Sequence, residues 1–142
     1  MAHCLTPDPT IIALGVRQPW VELILRGIKT VEVRSSNTNV RGLIYLYSSK
    51  KLSDMDAATT AIAKHEIQVS ELPCGLLVGS VELYAAEPAT PGDAAAACVP
   101  ADVLHNKVAW RLRNPVRFDK PHPVRFLPYG VWFYPYQRRN QN

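Results

Sequence analysis

The sequence has few of the residues from which disulfide frameworks and metal sites are built. Among 142 residues there are three cysteines and four histidines. No two cysteines form a C-x-x-C pair, and no two histidines stand at the spacing of a helical zinc motif. We therefore predict reduced, structural thiols, no metal site and no cofactor.

Long apolar runs and targeting signals are also missing. No apolar run approaches the roughly 20 residues that a membrane-spanning helix needs. The first ten residues, MAHCLTPDPT, contain neither a basic region nor an apolar core of the kind found in signal peptides. An apolar share of 47% and a charged share of 20% are typical of a globular chain. These features predict a single-domain, cytoplasmic protein with no membrane partner.

The formal net charge of +4 is distributed unevenly along the chain. Residues 1–53 carry seven Lys/Arg and three Asp/Glu, residues 54–102 carry one and eight, and residues 103–142 carry eight and one. If the fold brings the two basic ends together, they would form one basic surface suited to phosphates. The alternative is a solvated surface of mixed sign.

The pattern of apolar residues predicts five or six strands and two helices, without a β-α-β rhythm. The predicted strands are 11–16, 30–34, 43–48, 76–85, 107–118 and 130–136, and the predicted helices are about 19–26 and 57–64. Such an order favours an α+β fold in which a small, mostly antiparallel β-barrel carries about two flanking helices.

Local signals set several boundaries of these elements. Gly27 is expected to end the first helix in a left-handed conformation. Residues 53–56, SDMD, have the form of a capping box before the second helix. Pro115 should end its strand or place it at a sheet edge. Residues 87–101 are rich in alanine and proline, and we expect a loop with a short helix, the least structured part of the chain.

The segment GIKTVEVR at residues 27–34 concentrates three charges. The alternation of a strand places Glu32 and Arg34 on one face, opposite the core, with Lys29 at the preceding bend. Lys29 could contact a phosphate, or act as a base or nucleophile if burial lowered its pKa. Glu32 could accept hydrogen bonds from a base edge, act as a general base, or position the two cations as an ion-pair partner. Arg34 offers a planar fork for a phosphate or carboxylate, or pairs with Glu32.

Further candidates surround these three charges. Trp20, on the first helix, is either a core residue or a stacking platform for a base. Polar residues after the motif and at the end of the next strand could bind phosphate or extend a basic rim: Ser35, Asn37, Arg41, Ser48, Lys50 and Lys51. The largest supply of positive charge, which would equally suit an exposed barrel face, is formed by Arg111, Arg113, Arg117 and Arg125.

The spacing G-x-K-x-x-E-x-R, at Gly27, Lys29, Glu32 and Arg34, resembles the signature of the ASCH superfamily, closest to its coactivator-type branch. Other segments match that family in order: GVRQPWVELILRGIK, RGLIYLYSSKK, CGLLVGSVEL, AWRLRNPVRF and GVWF. The resemblance implies a PUA-like β-barrel over residues 11–136, between an N-terminal tail at 1–10 and a C-terminal tail at 137–142. It also implies that the motif faces a cleft beside the barrel.

The resemblance implies a nucleic-acid-associated function. We predict a module that binds nucleic acid, RNA ahead of DNA, at nine residues: Trp20, Lys29, Glu32, Arg34, Ser35, Asn37, Arg41, Ser48 and Lys50. One alternative is a small hydrolase of acetylated cytidine nucleosides, or a ribonuclease, with Lys29 and Glu32 as its catalytic residues. In those nucleoside hydrolases a threonine stands where this chain has Glu32, and Glu82 is the nearest candidate for their acidic partner. A second alternative is a domain that binds proteins of a transcription or translation complex through the acidic middle segment.

Overall fold

The computed structural model describes residues 6–138 of the chain. The elements, in chain order, are β1 (Ala13–Val16), α1 (Trp20–Leu25), β2 (Val31–Arg34), β3 (Gly42–Ser48), α2 (Asp56–Lys64), β4 (Leu76–Pro88), α3 (Ala94–Ala97), β5 (Val108–His122) and β6 (Trp132–Phe133). Short 3₁₀ turns lie at Val69–Glu71, Pro91–Asp93 and Ala101–Leu104.

The six strands form one mixed sheet in the order β2-β5-β4-β3-β1-β6, curled into a half-barrel. β1 pairs with β3 in parallel, and the other strand pairs are antiparallel. The predicted α+β class and the mostly antiparallel sheet are therefore confirmed. The four-residue helix α3 is the short helix expected within residues 87–101.

Helix α1 lies against the sheet because one side of it is almost wholly apolar. Val21, Leu23 and Ile24 are at most 1% exposed. The helix ends as predicted, with Gly27 in the left-handed region at φ 78°. The backbone amides of Ile28 and Lys29 then both donate to the carbonyl of Leu23, at 3.0 and 3.1 Å. This tight exit turns the chain directly from α1 towards β2, and Lys29 lies in the turn.

Two apolar clusters hold the sheet together. The larger cluster joins the sheet to the helices and includes Leu14, Ile44 and Trp110. The smaller cluster lies on the other side of β1 and β3, around Tyr47 and Phe133, whose rings meet edge to face with centroids 5.3 Å apart. Both faces of the central strands are thus buried, which fixes their register.

Strand β5 passes through Pro115 and continues to His122. Beyond Arg111 it pairs with β4 alone, so Pro115 lies where the strand is an edge of the sheet, which is the second of the two predicted outcomes. Arg113 pairs with Glu82 and Val116 with Ser80, so that Asn114 and Pro115 stand opposite a single residue of β4. Asn114 has a positive φ of 56° in this bulge. A bulge leaves one residue without a ladder hydrogen bond, and proline, which has no N–H to donate, is tolerated there.

The predicted capping box at residues 53–56 is also wrong. Helix α2 begins at Asp56 after Met55, whose side chain makes no capping hydrogen bond, and the hydroxyl of Ser53 instead accepts from the amide of Met55 at 3.3 Å. A capping box does form between Thr90 and Asp93. Residues 87–101, expected to be the least structured, therefore contain the end of β4, a capped 3₁₀ turn and α3.

The ends of the chain differ from the prediction in one respect. The final strand, expected over 130–136, is limited to Trp132–Phe133. The domain limits of 11–136 remain a prediction, and residues 1–5 and 139–142 of the two tails lie outside the described residues. Within residues 6–138, the helices are too short or too polar to span a membrane.

Arginines of the basic C-terminal segment form ion pairs with the acidic middle segment and with α1. Arg111 on β5 pairs with Glu87 and with Asp93, Arg113 pairs with Glu82, and Arg117 reaches Glu22 on α1. These three arginines are therefore held by carboxylates. The surface they contribute is of mixed sign, which is the second of the two alternatives drawn from charge alone.

Candidate functional site

A cavity of about 390 Å³ opens where β1, the start of α1 and β2 meet the loop before α2 and the segment after α3. Its walls combine charged, hydroxyl and apolar side chains. The lining residues are Gly15, Arg17, Trp20, Lys29, Glu32, Val33, Arg34, Ser49, Ser53, Asp54, Met55, Val99, Val103 and Lys107. The three motif charges thus share one concave site.

Lys29 is buried at the base of this site, with 3% of its surface exposed. Its Nζ donates a hydrogen bond of 2.6 Å to the carbonyl of Ala97 and lies 3.9 Å from Oε1 of Glu32. The same nitrogen stands 4.8 Å from the centre of the Trp20 ring. Burial lowers the pKa of Lys29 below its ordinary value, and the carboxylate of Glu32 opposes that effect.

Glu32 and Arg34 form a fixed pair on β2. Oε2 of Glu32 accepts from Nε of Arg34 at 2.9 Å and lies 2.8 Å from Nη2, which donates to the carbonyl of Gly15 at 3.0 Å. The guanidinium lies 5.5 Å from the ring centre of Trp110. Because these contacts already fix the Arg34 guanidinium, its side chain loses little further conformational entropy when a ligand binds.

The two charges share one side of β2, as strand alternation predicted. The expectation that this side faces away from the core is wrong for Glu32, which is only 7% exposed. The segment that follows β4 crosses over it, and the amide of Thr30 donates to the carbonyl of Ala96 at 2.9 Å. A carboxylate so enclosed acts in a medium where hydrogen bonds and charges count for more than in water.

The segment that covers Lys29 is anchored by Asp93. Its carboxylate accepts from the amide of Thr90 at 2.9 Å and pairs with Arg111 at 3.0 Å. Those hydrogen bonds hold the pKa of Asp93 below its ordinary value, despite the opposing effect of burial. The pattern T-P-x-D followed by alanines was the sequence signal for this capped turn, and it was missed.

The structure brings four of the nine predicted site residues to the cavity: Trp20, Lys29, Glu32 and Arg34. Ser35 adjoins it through Lys107, whose Nζ donates to the Ser35 hydroxyl at 3.3 Å. Asn37, Arg41, Ser48 and Lys50 do not line it. Ser48 is fully buried and donates to the carbonyl of Leu76, and Arg41 donates to carbonyls of its own loop.

Trp20 belongs to the larger apolar cluster and is 7% exposed. The ammonium group of Lys29 lies over its ring. This arrangement matches the structural interpretation of Trp20, since a ring face in contact with Lys29 offers little area for stacking. Trp20 forms a wall of the cavity and supports the lysine.

Two basic residues that the sequence analysis did not single out stand at the cavity. Arg17 is exposed and forms no ion pair with a carboxylate of residues 6–138, and Lys107 precedes β5. Basic side chains in the lining outnumber acidic ones by four to two, Glu32 and Asp54 being the acidic ones. The cavity therefore carries a positive excess, with its unpaired cations near the mouth.

Within residues 6–138, no cluster of metal ligands is assembled, and Glu82, the acidic partner suggested by the sequence, lies outside the cavity. Residues 6–138 contain no group of three His, Cys, Asp or Glu placed to hold a metal ion. Glu82 pairs with Arg113 and Asn114 on the sheet and does not line the cavity. The carboxylate nearest to Lys29 among the pairs described is Glu32 itself.

The fold and the motif define an ASCH domain. The sequence model of the ASCH domain family matches residues 14–122, and the chain belongs to that family.

Particular relatives are known by sequence and by structure. The chain is 34% identical over 77 residues to human activating signal cointegrator 1 and 32% identical to the mouse protein, matches that cover 49% of this chain. It spans only 13% of the length of those relatives. Two solved structures of ASCH from Zymomonas mobilis, one of them a Y47F mutant, share the fold at 14% and 12% identity. Their TM-scores are 0.58 and 0.54, over 89% and 87% of this chain and 88% of theirs.

Proposed function

We propose that this ASCH domain binds nucleic acid, RNA ahead of DNA, and holds one nucleotide in the cavity around Lys29, Glu32 and Arg34. The observation that carries the proposal is the cavity itself. It unites an enclosed carboxylate, a fixed arginine fork and a net positive lining within about 390 Å³. Ligand sites in proteins run from about 300 to 1,000 Å³. A cavity near the lower limit has room for one nucleotide taken out of its stack, and not for a duplex.

The charged residues of the site would contact different parts of a bound nucleotide. Arg17 and Lys107 stand where the phosphates of a bound strand would pass, and phosphate contacts of this kind supply most non-specific affinity. Inside, Glu32 has one oxygen engaged by Arg34 and the other 3.9 Å from Lys29, beyond hydrogen-bond distance. That second oxygen is available to accept an N–H or O–H of the nucleotide.

RNA ranks ahead of DNA for a physical reason. A ribose offers a 2′-hydroxyl, which can donate to a buried carboxylate, whereas a deoxyribose offers nothing at that position. Single-stranded RNA also presents unstacked bases that can enter a pocket.

Exchange of Glu32 for glutamine tests the proposal. Labelled single-stranded RNA and hairpin DNA would be titrated by fluorescence anisotropy at two salt concentrations. Glu32→Gln removes a negative charge, so general electrostatics alone predicts tighter binding. If the carboxylate accepts a hydrogen bond from the nucleotide, binding instead weakens by about tenfold or more.

Glu82→Gln is the matched control, because it removes the same charge from a carboxylate outside the cavity. We expect this variant to bind as the wild type does, or slightly more tightly. Failure of the wild-type protein to bind either nucleic acid at low salt would refute the proposal.

A hydrolase of acetylated cytidine nucleosides is a second candidate, favoured by one observation. Lys29 is a buried amine whose pKa is lowered by burial, and a carboxylate stands 3.9 Å from it. A neutral amine can act as a base or nucleophile. Incubation with N4-acetylcytidine, followed by chromatography, would compare the wild type with Lys29→Ala. Equal product traces for the two proteins would exclude this activity for that substrate.

Protein partners are proposed only by analogy. Two relatives are named as signal cointegrators, and this chain corresponds to a small part of their length. A partner of the protein-binding kind would remain attached in a pull-down after nuclease treatment, whereas a partner tethered through RNA would be lost.

A further inference from the structure

The amine of Lys29 differs in burial from those of the other lysines that the structure describes. Within residues 6–138, the other lysines are exposed or half-exposed, and Lys29 alone is buried. Binding of phosphate does not require burial, because surface lysines bind phosphates in water. The enclosed position of Lys29 therefore calls for a separate explanation.

Nζ of Lys29 has one hydrogen-bond partner within residues 6–138. An ammonium group can donate three hydrogen bonds. Here the carbonyl of Ala97 accepts one at 2.6 Å, and Glu32 is too distant, at 3.9 Å, for a second. Lys29 also lines the cavity. A ligand atom in the cavity can thus approach the nitrogen directly.

Three further features suit this nitrogen to nucleophilic work. Burial lowers the pKa of Lys29, which raises the fraction of neutral amine at neutral pH. The carboxylate of Glu32 is near enough to exchange protons with a group bonded to Nζ. Apolar side chains of Val33, Val99 and Val103 in the lining limit the entry of water.

We propose that Lys29 captures an aldehyde as an imine, and that the aldehyde is the open-chain form of a phosphate-bearing pentose. Two sources share this chemistry, namely a free sugar phosphate and a base-free nucleotide within a strand. The inference rests on the proposed function in one respect, since the cavity must admit a sugar of nucleotide size.

The chemistry balances without an oxidant or a reductant. The nitrogen lone pair attacks the aldehyde carbon, a C–N bond forms, and the carbonyl oxygen becomes a hydroxyl after proton transfer. The hydroxyl then takes up a proton and leaves as water while the nitrogen lone pair forms the C–N double bond, and the protonated imine gives up its remaining N–H proton, so that no net proton is consumed. Glu32, 3.9 Å from Nζ, can relay these protons between nitrogen and oxygen through one bridging water.

The lining also suits a sugar phosphate. Ser49, Ser53 and Glu32 can bind sugar hydroxyls, and Arg17 and Lys107 can bind the phosphate. The loss of a base leaves the sugar free to enter deeper than an intact nucleotide would, towards Lys29.

Borohydride trapping tests the proposal on the whole chain. Reduction fixes an imine as a stable secondary amine, which adds a known mass to one lysine. The probes are ribose 5-phosphate, and single-stranded DNA and RNA with one abasic site. Peptide mapping by mass spectrometry would locate the label in the wild-type protein itself, so that the result does not depend on any variant folding.

We expect Lys29 to carry the label with both kinds of probe. Lys29→Arg keeps a positive charge without a nucleophilic amine, and should reduce labelling by about tenfold or more. Lys64→Arg, at an exposed lysine outside the cavity, should leave labelling unchanged. Label spread over the exposed lysines, with Lys29 not enriched, would overturn the inference, as would no label at all.

The two proposals fail separately. Binding of intact RNA without labelling of Lys29 would remove the imine and leave the proposed function standing. Labelling of Lys29 by ribose 5-phosphate, with no affinity for any oligonucleotide, would support capture of a free sugar phosphate and refute the nucleic-acid proposal. Labelling by the abasic strands and not by ribose 5-phosphate would identify the strand as the source.

Discussion

Lys29 and Ala97, 68 positions apart in the chain, are joined by a hydrogen bond of 2.6 Å from the Lys29 amine to the Ala97 carbonyl. The neighbouring carbonyl of Ala96 accepts from the amide of Thr30. Two successive carbonyls at the end of α3 therefore hold the bend that carries the motif lysine. The cavity exists in this form because the segment that follows α3 contributes Val99 and Val103 to its wall.

Asp93 anchors the segment that covers Lys29, so a change at Asp93 should both lower the stability of the protein and loosen that segment. Asp93→Asn weakens the pair with Arg111 and should lower the free energy of unfolding by about 2 kcal/mol. Urea unfolding measures that change. Hydrogen exchange at the Thr30 amide should become faster, because its acceptor lies on the loosened segment.

Asp102→Asn is the control for this change, since Asp102 is exposed and has no ion pair within residues 6–138. Its effect on stability should remain within about 0.5 kcal/mol. Equal effects of the two variants would show that the Asp93 contacts do not hold the segment.

Arg17 and Lys107, the two cavity cations without an ion pair in residues 6–138, predict how RNA binding depends on salt. Arg17→Gln and Lys107→Gln should each lower the slope of log affinity against log salt by about 0.7, the value for one phosphate contact on a single strand. Arg113→Gln removes the same charge outside the cavity lining, at a residue already paired with Glu82, and should leave the slope unchanged. Equal slope changes in all three would indicate a diffuse effect of net charge.

The backbones of β4 and β5 approach closely at Gly79, so a side chain there should lower the stability of the protein. A Cβ there would overlap the carbonyl oxygen of Val116 and come within 2.7 Å of Leu25 Cδ2. We expect Gly79→Ala to cost about 1–3 kcal/mol of stability, because β4 and β5 must move apart. Gly130→Ala, whose Cβ would meet nothing closer than 3.9 Å, should be nearly neutral in the same urea titration.

The paired carboxylate of Glu22 predicts a loss of stability in acid. Burial by itself would raise the pKa of Glu22, but hydrogen bonds from Arg117 and Arg26 lower it below the ordinary value of 4.5. The stabilisation is therefore fully present above about pH 4.5 and is lost as the pH falls through the lower, folded-state pKa.

Urea unfolding at several pH values below neutrality would measure that loss. Glu22→Gln should show a weaker decline in stability between about pH 5 and pH 3 than the wild type. Glu71→Gln, at an exposed glutamate without an ion pair in residues 6–138, should follow the wild-type curve. A parallel decline in all three proteins would assign the acid sensitivity to other groups.

Much of the site could be predicted because its parts are local. The end of α1 requires a residue that tolerates a positive φ, and the glycine at position 27 therefore predicts the helix end. Alternation in β2 placed Glu32 and Arg34 on one side of the strand, and the spacing of the motif brought Lys29 to the bend before it. Four of the nine predicted site residues line the cavity for this reason.

Contacts between residues far apart in the chain determined the features that the sequence did not predict. The sequence left open whether Pro115 ends its strand or lies at an edge, and β5 continues because a bulge opposite β4 absorbs a residue that cannot donate. Ser48 reads as a rim residue, yet it is fully buried in β3 beside β4, and its hydroxyl donates to the carbonyl of Leu76. Neither outcome follows from the residues on either side, because each depends on a partner strand that closes a long loop in the chain.

The sequence by itself determined the motif and the order of the strands, since strand and helix periodicities and glycine conformations act within a few residues. Only the tertiary structure decided the chemistry of the motif. α3, more than sixty positions after Lys29, removes water from the amine and from Glu32. Burial is what lowers the pKa of Lys29, and burial depends on packing between segments that no local pattern relates.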